Sequence, residues 1–211
     1  PEMDVEVISI AYNIYKSLGI EKIKVKINSI GSADVRPKYV KELRKQLSPY
    51  LNKMCKTCND RIITNALRVF DCKNRSCQSL YENYAPLISE HISQDDQNHF
   101  NDVLKLLEDL KIPYVLDYKL VRGLDYYTRT TFEITSDMLG SQNALCGGGR
   151  YDKLVEQLGG DHTPAVGFAA GMERLLIVLE NSLKNIKLSV DVYMVILGET
   201  AVSRSFLICL L

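Results

Sequence analysis

Two arginines, an aspartate and two adjacent tyrosines fall between Arg122 and Arg129, in the run RGLDYYTR. Arg122 offers a planar fork of donors that fits phosphate or carboxylate. Tyr126 and Tyr127 offer flat apolar faces edged by hydroxyls, which suit a planar, partly polar ring. Phe132 and Ile134 alternate with polar neighbours, the mark of a strand over residues 130–135. Successive strand residues face opposite sides, so both tyrosines reach one pocket only if the strand bends near its start. The same residues also suit a strand with core tyrosines and a structural Arg–Asp pair; composition alone does not separate the two readings.

Two further segments have chemical potential. In CGGGRYD, Gly147, Gly148 and Gly149 at the end of a strand over residues 143–146 would let a ligand approach the backbone, and a helix starting near Tyr151 would supply free N–H groups. A tight strand-to-helix turn needs the same glycines. In GFAAGMERL, a short buried strand leads through Gly171 into an apolar helix over residues 171–183. Arg174 in its first turn points either past the strand end toward a phosphate or into solvent. Cys55-x2-Cys58 and Cys72-x4-Cys77, with 13 residues between the pairs, come near the spacing of a zinc ribbon. Four reduced thiols packed in a small helical domain is the other reading.

The elements that must position these groups follow from periodicity. Val5, Ile8, Tyr12, Tyr15 and Leu18 have helical spacing, and Gly19 stops that helix. Ile23, Val25 and Ile27 alternate with lysines as a strand with one wet face. A basic amphipathic helix runs from Pro37 toward Leu51. Residues 52–79 carry little apolar period. Residues 81–92 and 97–110 read as helices, 112–118 as a strand, and 190–197 as a buried strand opening a new α/β unit.

Composition bounds the class. The chain has 211 residues, 46% hydrophobic and 25% charged, with no apolar run long enough to span a bilayer. It starts without Met and without the pattern of a signal peptide, which suggests a cytoplasmic protein and an excised piece. Net charge is zero, yet Arg36 to Arg75 holds 11 Lys and Arg against three acids, a surplus of +8. Such a block suits a polyanion or a solvated helix face.

RGLDYYTRTTFE, CGGGRYD with LVEQLGG, and PAVGFAAGMERL, in this order, together resemble the histidyl-tRNA synthetases. The third segment looks like motif 3 of class II aminoacyl-tRNA synthetases. INSIGSADVRP and NALRVFDCKN upstream resemble the bacterial-type members. The resemblance implies an α+β fold: the C-terminal part of an antiparallel-sheet catalytic domain with a mostly helical insertion domain. The implied layout is a catalytic segment at residues 1–29, a basic insertion at 30–115, the catalytic core at 116–184 and the start of an α/β anticodon-binding domain at 188–211.

The resemblance also implies a reaction. Histidine and ATP with Mg²⁺ give histidyl-adenylate, and histidine then passes to the 3′ end of tRNA(His). Arg122 matches the family's catalytic arginine. Tyr126, Tyr127, Gly147, Gly148 and Tyr151 match its histidine-binding signatures. Arg174 matches the motif 3 arginine that grips the ATP γ-phosphate, with Gly171 beside the adenine or ribose; Asp125 and Glu173 would orient or support. The basic insertion would approach the tRNA acceptor arm, with salt-sensitive binding. A homodimer is expected of the full-length enzyme. Zinc at Cys55, Cys58, Cys72 and Cys77 is not required by the resemblance and is not the favoured reading. Motifs 1 and 2 are not found in the sequence, so this polypeptide alone is expected to give little ATP–pyrophosphate exchange. Two competing readings remain: a non-catalytic histidine-binding regulatory paralogue, expected to lack the basic insertion, and a zinc-ribbon nucleic-acid-binding module, which leaves RGLDYYT and GFAAGMERL unexplained.

Overall fold

The computed structural model describes residues 1–121, 126–139, 143–183 and 193–209, with the backbone alone for 181–183. The chain forms two compact units, Pro1–Val178 and Leu179–Leu211. The first is built on a five-stranded sheet. Its strands are β1 (Ile23–Ser29), β2 (Tyr114–Leu116), β3 (Thr128–Ser136), β4 (Ala144–Arg150) and β5 (Val166–Ala170), in the spatial order β2-β1-β3-β4-β5. β1 and β2 are parallel and the other three pairings antiparallel.

One face of the sheet is apolar for a reason visible in each strand. The register sets Ile27 opposite Phe132 and Val25 opposite Ile134, and all four side chains are fully buried. Helices α1 (Glu2–Ser17) and α5 (Gln94–Asp109) cover this face. α1 buries Val5, Ile8, Ala11 and Tyr15 along one stripe, and α5 buries Phe100, Val103 and Leu107. The valine, isoleucine, leucine and phenylalanine side chains among them each contribute about 1.5–3 kcal/mol of apolar burial. Gly19, at φ +79°, ends α1 in the left-handed conformation that glycine adopts without penalty. Ser93 caps α5 by accepting from Asp96 N at 3.1 Å.

The opposite face carries small and polar residues. Glu133, Gly147 and Ala169 stand side by side across β3, β4 and β5; so do Thr131, Gly149 and Gly167. The residues between β1 and α5 form α2 (Val35–Leu47), α3 (Lys56–Thr64) and α4 (Arg75–Tyr84), joined by 3-10 turns at Ser48–Lys53 and Ala66–Asp71. Their core contains Tyr39, Leu43, Leu47, Ile62, Leu67, Val69 and Tyr81, and extends to Val121 and Tyr127.

Several expectations change. The helix expected over residues 81–92 is the end of α4, a break, and a turn at Ile88–Glu90. Pro86 restricts the residue before it, and Ala85 is extended at ψ 133°. Residues 52–79, which show no legible period, hold the nine-residue α3 and the first half of the ten-residue α4. The glycine triplet lies within β4, and the helix after it, α6 (Leu154–Gln157), begins beyond Tyr151. β5 is half-exposed rather than buried. In the second unit, α7 (Met172–Leu183), which starts in the first, is followed by α8 (Val202–Cys209). Of the strand expected over 190–197, residues 193–197 take no strand conformation and the rest lie outside the described residues. Among the described residues of that unit no strand offers the hydrogen bonds an apolar run needs. No helix among the described residues is long and apolar enough to cross a membrane.

Candidate active site

Tyr126 and Tyr127 lie just ahead of β3, so the alternation of a strand does not separate them, and the strand itself bends just beyond them, at Arg129. The β3–β4 register shifts between Thr128 and Thr131, and Arg129 has φ +49°, rare for a residue with a side chain. Three contacts hold it there. Arg129 N donates to Gly31 O at 2.7 Å, Ile30 N donates to Arg129 O at 2.8 Å, and Arg129 Nε donates to Asp96 Oδ1 at 2.8 Å. Asp96 is fully buried and also accepts from Ser32 N at 3.0 Å. Burial opposes its ionisation, but these hydrogen bonds prevail and hold its carboxyl below the usual range. Arg129 is thus a structural arginine with an acidic partner.

Upstream of the bulge the tyrosines converge. Tyr126 and Tyr127 have ring centroids 4.7 Å apart, and Tyr151 stands edge-on to both, at 5.7 and 6.2 Å. Tyr127 is buried, while the other two are half-buried. The Arg36 guanidinium, from α2, donates to the Tyr127 carbonyl. Tyr151 N donates to Ala165 O at 2.7 Å, which ties that residue between β4 and β5. Two glycines make room for the rings. A Cβ on Gly149 would lie 2.9 Å from Tyr127 Cδ1, and one on Gly167 would lie 2.6 Å from the Tyr151 hydroxyl. Gly148 serves the sheet itself. A Cβ there would meet the Gly167 carbonyl at 2.3 Å, so its absence lets β5 approach β4.

Two residues further along β4, about 7 Å away, Gly147 lines a cavity of about 320 Å³ with Glu133, Ala169, Gly171 and Arg174. Arg174 lies in the first turn of α7 and donates to Ala144 O at 2.7 Å. Gly171 N donates to Leu145 O at 2.9 Å, which fixes the helix start beside β4. Glu133 also lines a larger cavity, of about 450 Å³, with Lys26, Asp117 and Lys119. Glu133 is not among the site residues expected from the sequence. Its signal is there all the same: Phe132 and Ile134 in the core put Glu133 on the other face. Arg122 and Asp125 lie outside the described residues.

A buried network fixes β4 to α1. Asp4, fully buried, accepts from Arg150 Nε at 3.0 Å, from Thr130 Oγ1 at 3.0 Å, and pairs with His99 Nε2 at 2.5 Å. Arg150 reaches Asp152 as well, at 3.0 Å. Nothing in the apolar pattern of α1 announces this role for Asp4.

The basic block divides. Arg36, Arg44 and Arg61 donate to backbone carbonyls, Arg44 to Ile62 and Ile63 at 2.8 and 2.7 Å. Lys38, Lys41, Lys45, Lys53, Lys56 and Lys73 are exposed. The four clustered cysteines come together, their sulfur atoms all within 4.8 Å of one another.

Relatives bear directly on this arrangement. The profile of the family described as histidyl-tRNA synthetase matches residues 1–175. This chain belongs to the histidyl-tRNA synthetase family. It is 50% identical over 181 residues to a histidine--tRNA ligase of Acetivibrio thermocellus, covering 86% of this chain and 43% of the relative. With that of Natranaerobius thermophilus it shares 43% identity over 208 residues, covering 98% of this chain and 49% of the relative. The structure is similar to apo histidyl-tRNA synthetase of S. aureus, with a TM-score of 0.68 at 34% identity, over 100% of this chain and 52% of the other. The chain thus spans about half the length of the histidyl-tRNA synthetases it matches. The mixed α/β fold with a largely antiparallel sheet is that of the family.

Proposed function

We propose that the protein carrying this chain is a histidine--tRNA ligase, and that the open face of the sheet is its histidine- and ATP-binding surface. The observation that carries this reading is the juxtaposition of a tyrosine cluster and an arginine-lined cavity on neighbouring rungs of β4. Tyr126, Tyr127 and Tyr151 wall the place of the histidine ring. Gly147 floors the space between ring and nucleotide, and Gly148 keeps β5 close enough to complete it. Arg174 holds the terminal phosphate of ATP, with Gly171 against the adenosine. By resemblance Arg122 holds the carboxylate and the α-phosphate. Mg²⁺ accompanies ATP and neutralises part of its charge.

The reaction then needs little covalent help from the protein. A histidine carboxylate oxygen attacks the α-phosphorus, the bond to the β-phosphate oxygen breaks, and pyrophosphate leaves. Fixed positive charge stabilises the transition state because it needs no reorganisation as negative charge develops. The terminal ribose hydroxyl of tRNA(His) next attacks the acyl carbon, and AMP leaves. The helices between β1 and α5 are the insertion that meets the acceptor arm through its exposed lysines. The five-stranded sheet with α1 and α5 belongs to the catalytic domain, which moves the far end of the insertion back from residue 115 to before α5, and 188–211 begin the anticodon-binding domain. The full-length protein works as a cytoplasmic homodimer.

The test is histidine-dependent ATP–pyrophosphate exchange by the full-length protein. Robust exchange is expected. Histidine binding without exchange would favour a regulatory paralogue instead. Gly171 offers a sharper probe. A Cβ there meets no protein atom closer than 3.5 Å, so nothing within the described protein demands glycine. Gly171→Ala should melt as the parent does and raise the KM for ATP about tenfold or more, the effect of one badly placed methyl on a bound ligand. An unchanged KM would remove Gly171 from the nucleotide site.

A further inference from the structure

We propose that Cys55, Cys58, Cys72 and Cys77 form a structural zinc site that staples the helical insertion. The sulfur atoms form one cluster rather than two pairs, each within 4.8 Å of the other three. Cys55 Sγ lies 3.8 Å from Cys72 Sγ, although these cysteines belong to different pairs in sequence. Four thiolates at about 2.3 Å from a tetrahedral zinc ion are separated by about 3.8 Å. Three of the four cysteines are buried, and none is in a disulfide.

The backbone is arranged for sulfur ligands. Cys55 precedes α3 and Cys58 lies in its first turn; Cys72 ends the turn Ala66–Asp71 and Cys77 lies in the first turn of α4. Two main-chain N–H groups are aimed at sulfur, Cys55 N at Cys77 Sγ (3.3 Å) and Asn74 N at Cys72 Sγ (3.4 Å). Such donors stabilise the charge that thiolate ligands keep around zinc. Four thiolates and one zinc ion leave a net charge of about −2, and the exposed cations Lys53, Lys56, Lys73 and Arg75 surround the cluster in sequence.

The site also has work to do. α3 and α4 are nine and ten residues long and are linked by 3-10 turns, too short to be stable by themselves. A metal closes such a scaffold where apolar burial is limited. Cys58, Cys72 and Cys77 share one hydrophobic core with Tyr127, and Tyr126 and Tyr151 pack against it. Free thiols, the reading favoured by the sequence, explain burial but not the convergence of all four sulfurs.

The test uses the full-length protein purified without added metal or chelator. Mass-spectrometric elemental analysis should find about one zinc per chain. Cys58→Ser should lose most of it, and Cys209→Ser, a change at an exposed cysteine outside the cluster, should keep it. Because Cys58→Ser endangers folding, the parent protein is also titrated with a thiol reagent before and after treatment with a zinc chelator. Zinc release should accompany exposure of four further reactive thiols. Absence of metal, iron in place of zinc, zinc retained in Cys58→Ser, or thiol reactivity unaltered by the chelator would overturn the proposal.

Discussion

Asp4→Ala is expected to lower the unfolding free energy by about 3–5 kcal/mol, the usual result of removing one partner of a buried ion pair. The carboxylate is fully buried and holds three groups at once: the Arg150 guanidinium, the His99 ring and the Thr130 hydroxyl. Without it Arg150 keeps, among the described residues, the side chain of Asp152, and a buried charge loses most of its compensation. The network also carries a pH dependence. Burial pushes the Asp4 pKa up, but the His99 hydrogen bond and the nearby Arg150 charge outweigh burial and leave it lowered. The folded state therefore binds this proton less readily than the unfolded state. Its stabilisation is complete above the unfolded carboxylate pKa, about 3.9, and disappears as pH falls through the lower folded value. Urea unfolding of parent and variant, at neutral and acid pH, measures both effects. The variant should show the larger deficit at neutral pH and the shallower decline in acid; parallel curves would contradict the assignment.

Arg174→Met should cut histidine-dependent pyrophosphate exchange about 10²- to 10³-fold, the range for removing one charge-stabilising donor from a transition state. Arg174 also has a structural role: its hydrogen bond to Ala144 O, made by a charged donor, contributes about 1.5–3 kcal/mol, so a modest fall in melting temperature is expected beside the loss of rate. Arg174→Lys keeps the charge and loses the fork, and should recover part of the rate. Exchange within a few-fold of the parent in Arg174→Met would place ATP elsewhere.

What is legible in the sequence depends on whether the determining contacts are local. β1 declares itself because Ile23, Val25 and Ile27 all face one core, and α5 because its apolar stripe is complete. Linked motifs carry the family where single residues do not. The bulge at Arg129 escapes because it depends on Gly31 and Asp96, both distant in sequence. The glycine triplet reads as a turn because glycine is common there; its work is to admit Tyr127 and β5 to the middle of a strand. The helices at 56–64 and 75–84 have too few turns for a visible period, and their core is completed by cysteines whose joint position no one-dimensional spacing reveals. The arginines of the basic block look like its lysines in sequence, yet the fold uses several arginines as backbone ties and leaves the lysines in solvent.

The pairing of β1 with β3 joins positions such as Asn28 and Thr131, 103 residues apart. At about 5–20 residues per second of synthesis, β1 leaves the ribosome roughly 5–20 s before the strand that completes it. For most of that interval, until α5, β2 and β3 emerge in turn, its apolar face and its ladder groups have no partner, the condition under which a nascent strand joins a neighbouring chain instead. Lys24 and Lys26 occupy its other face. Beyond their place in the finished sheet, they act as gatekeepers: two like charges on a short strand make stacking with copies of itself unfavourable until β3 arrives.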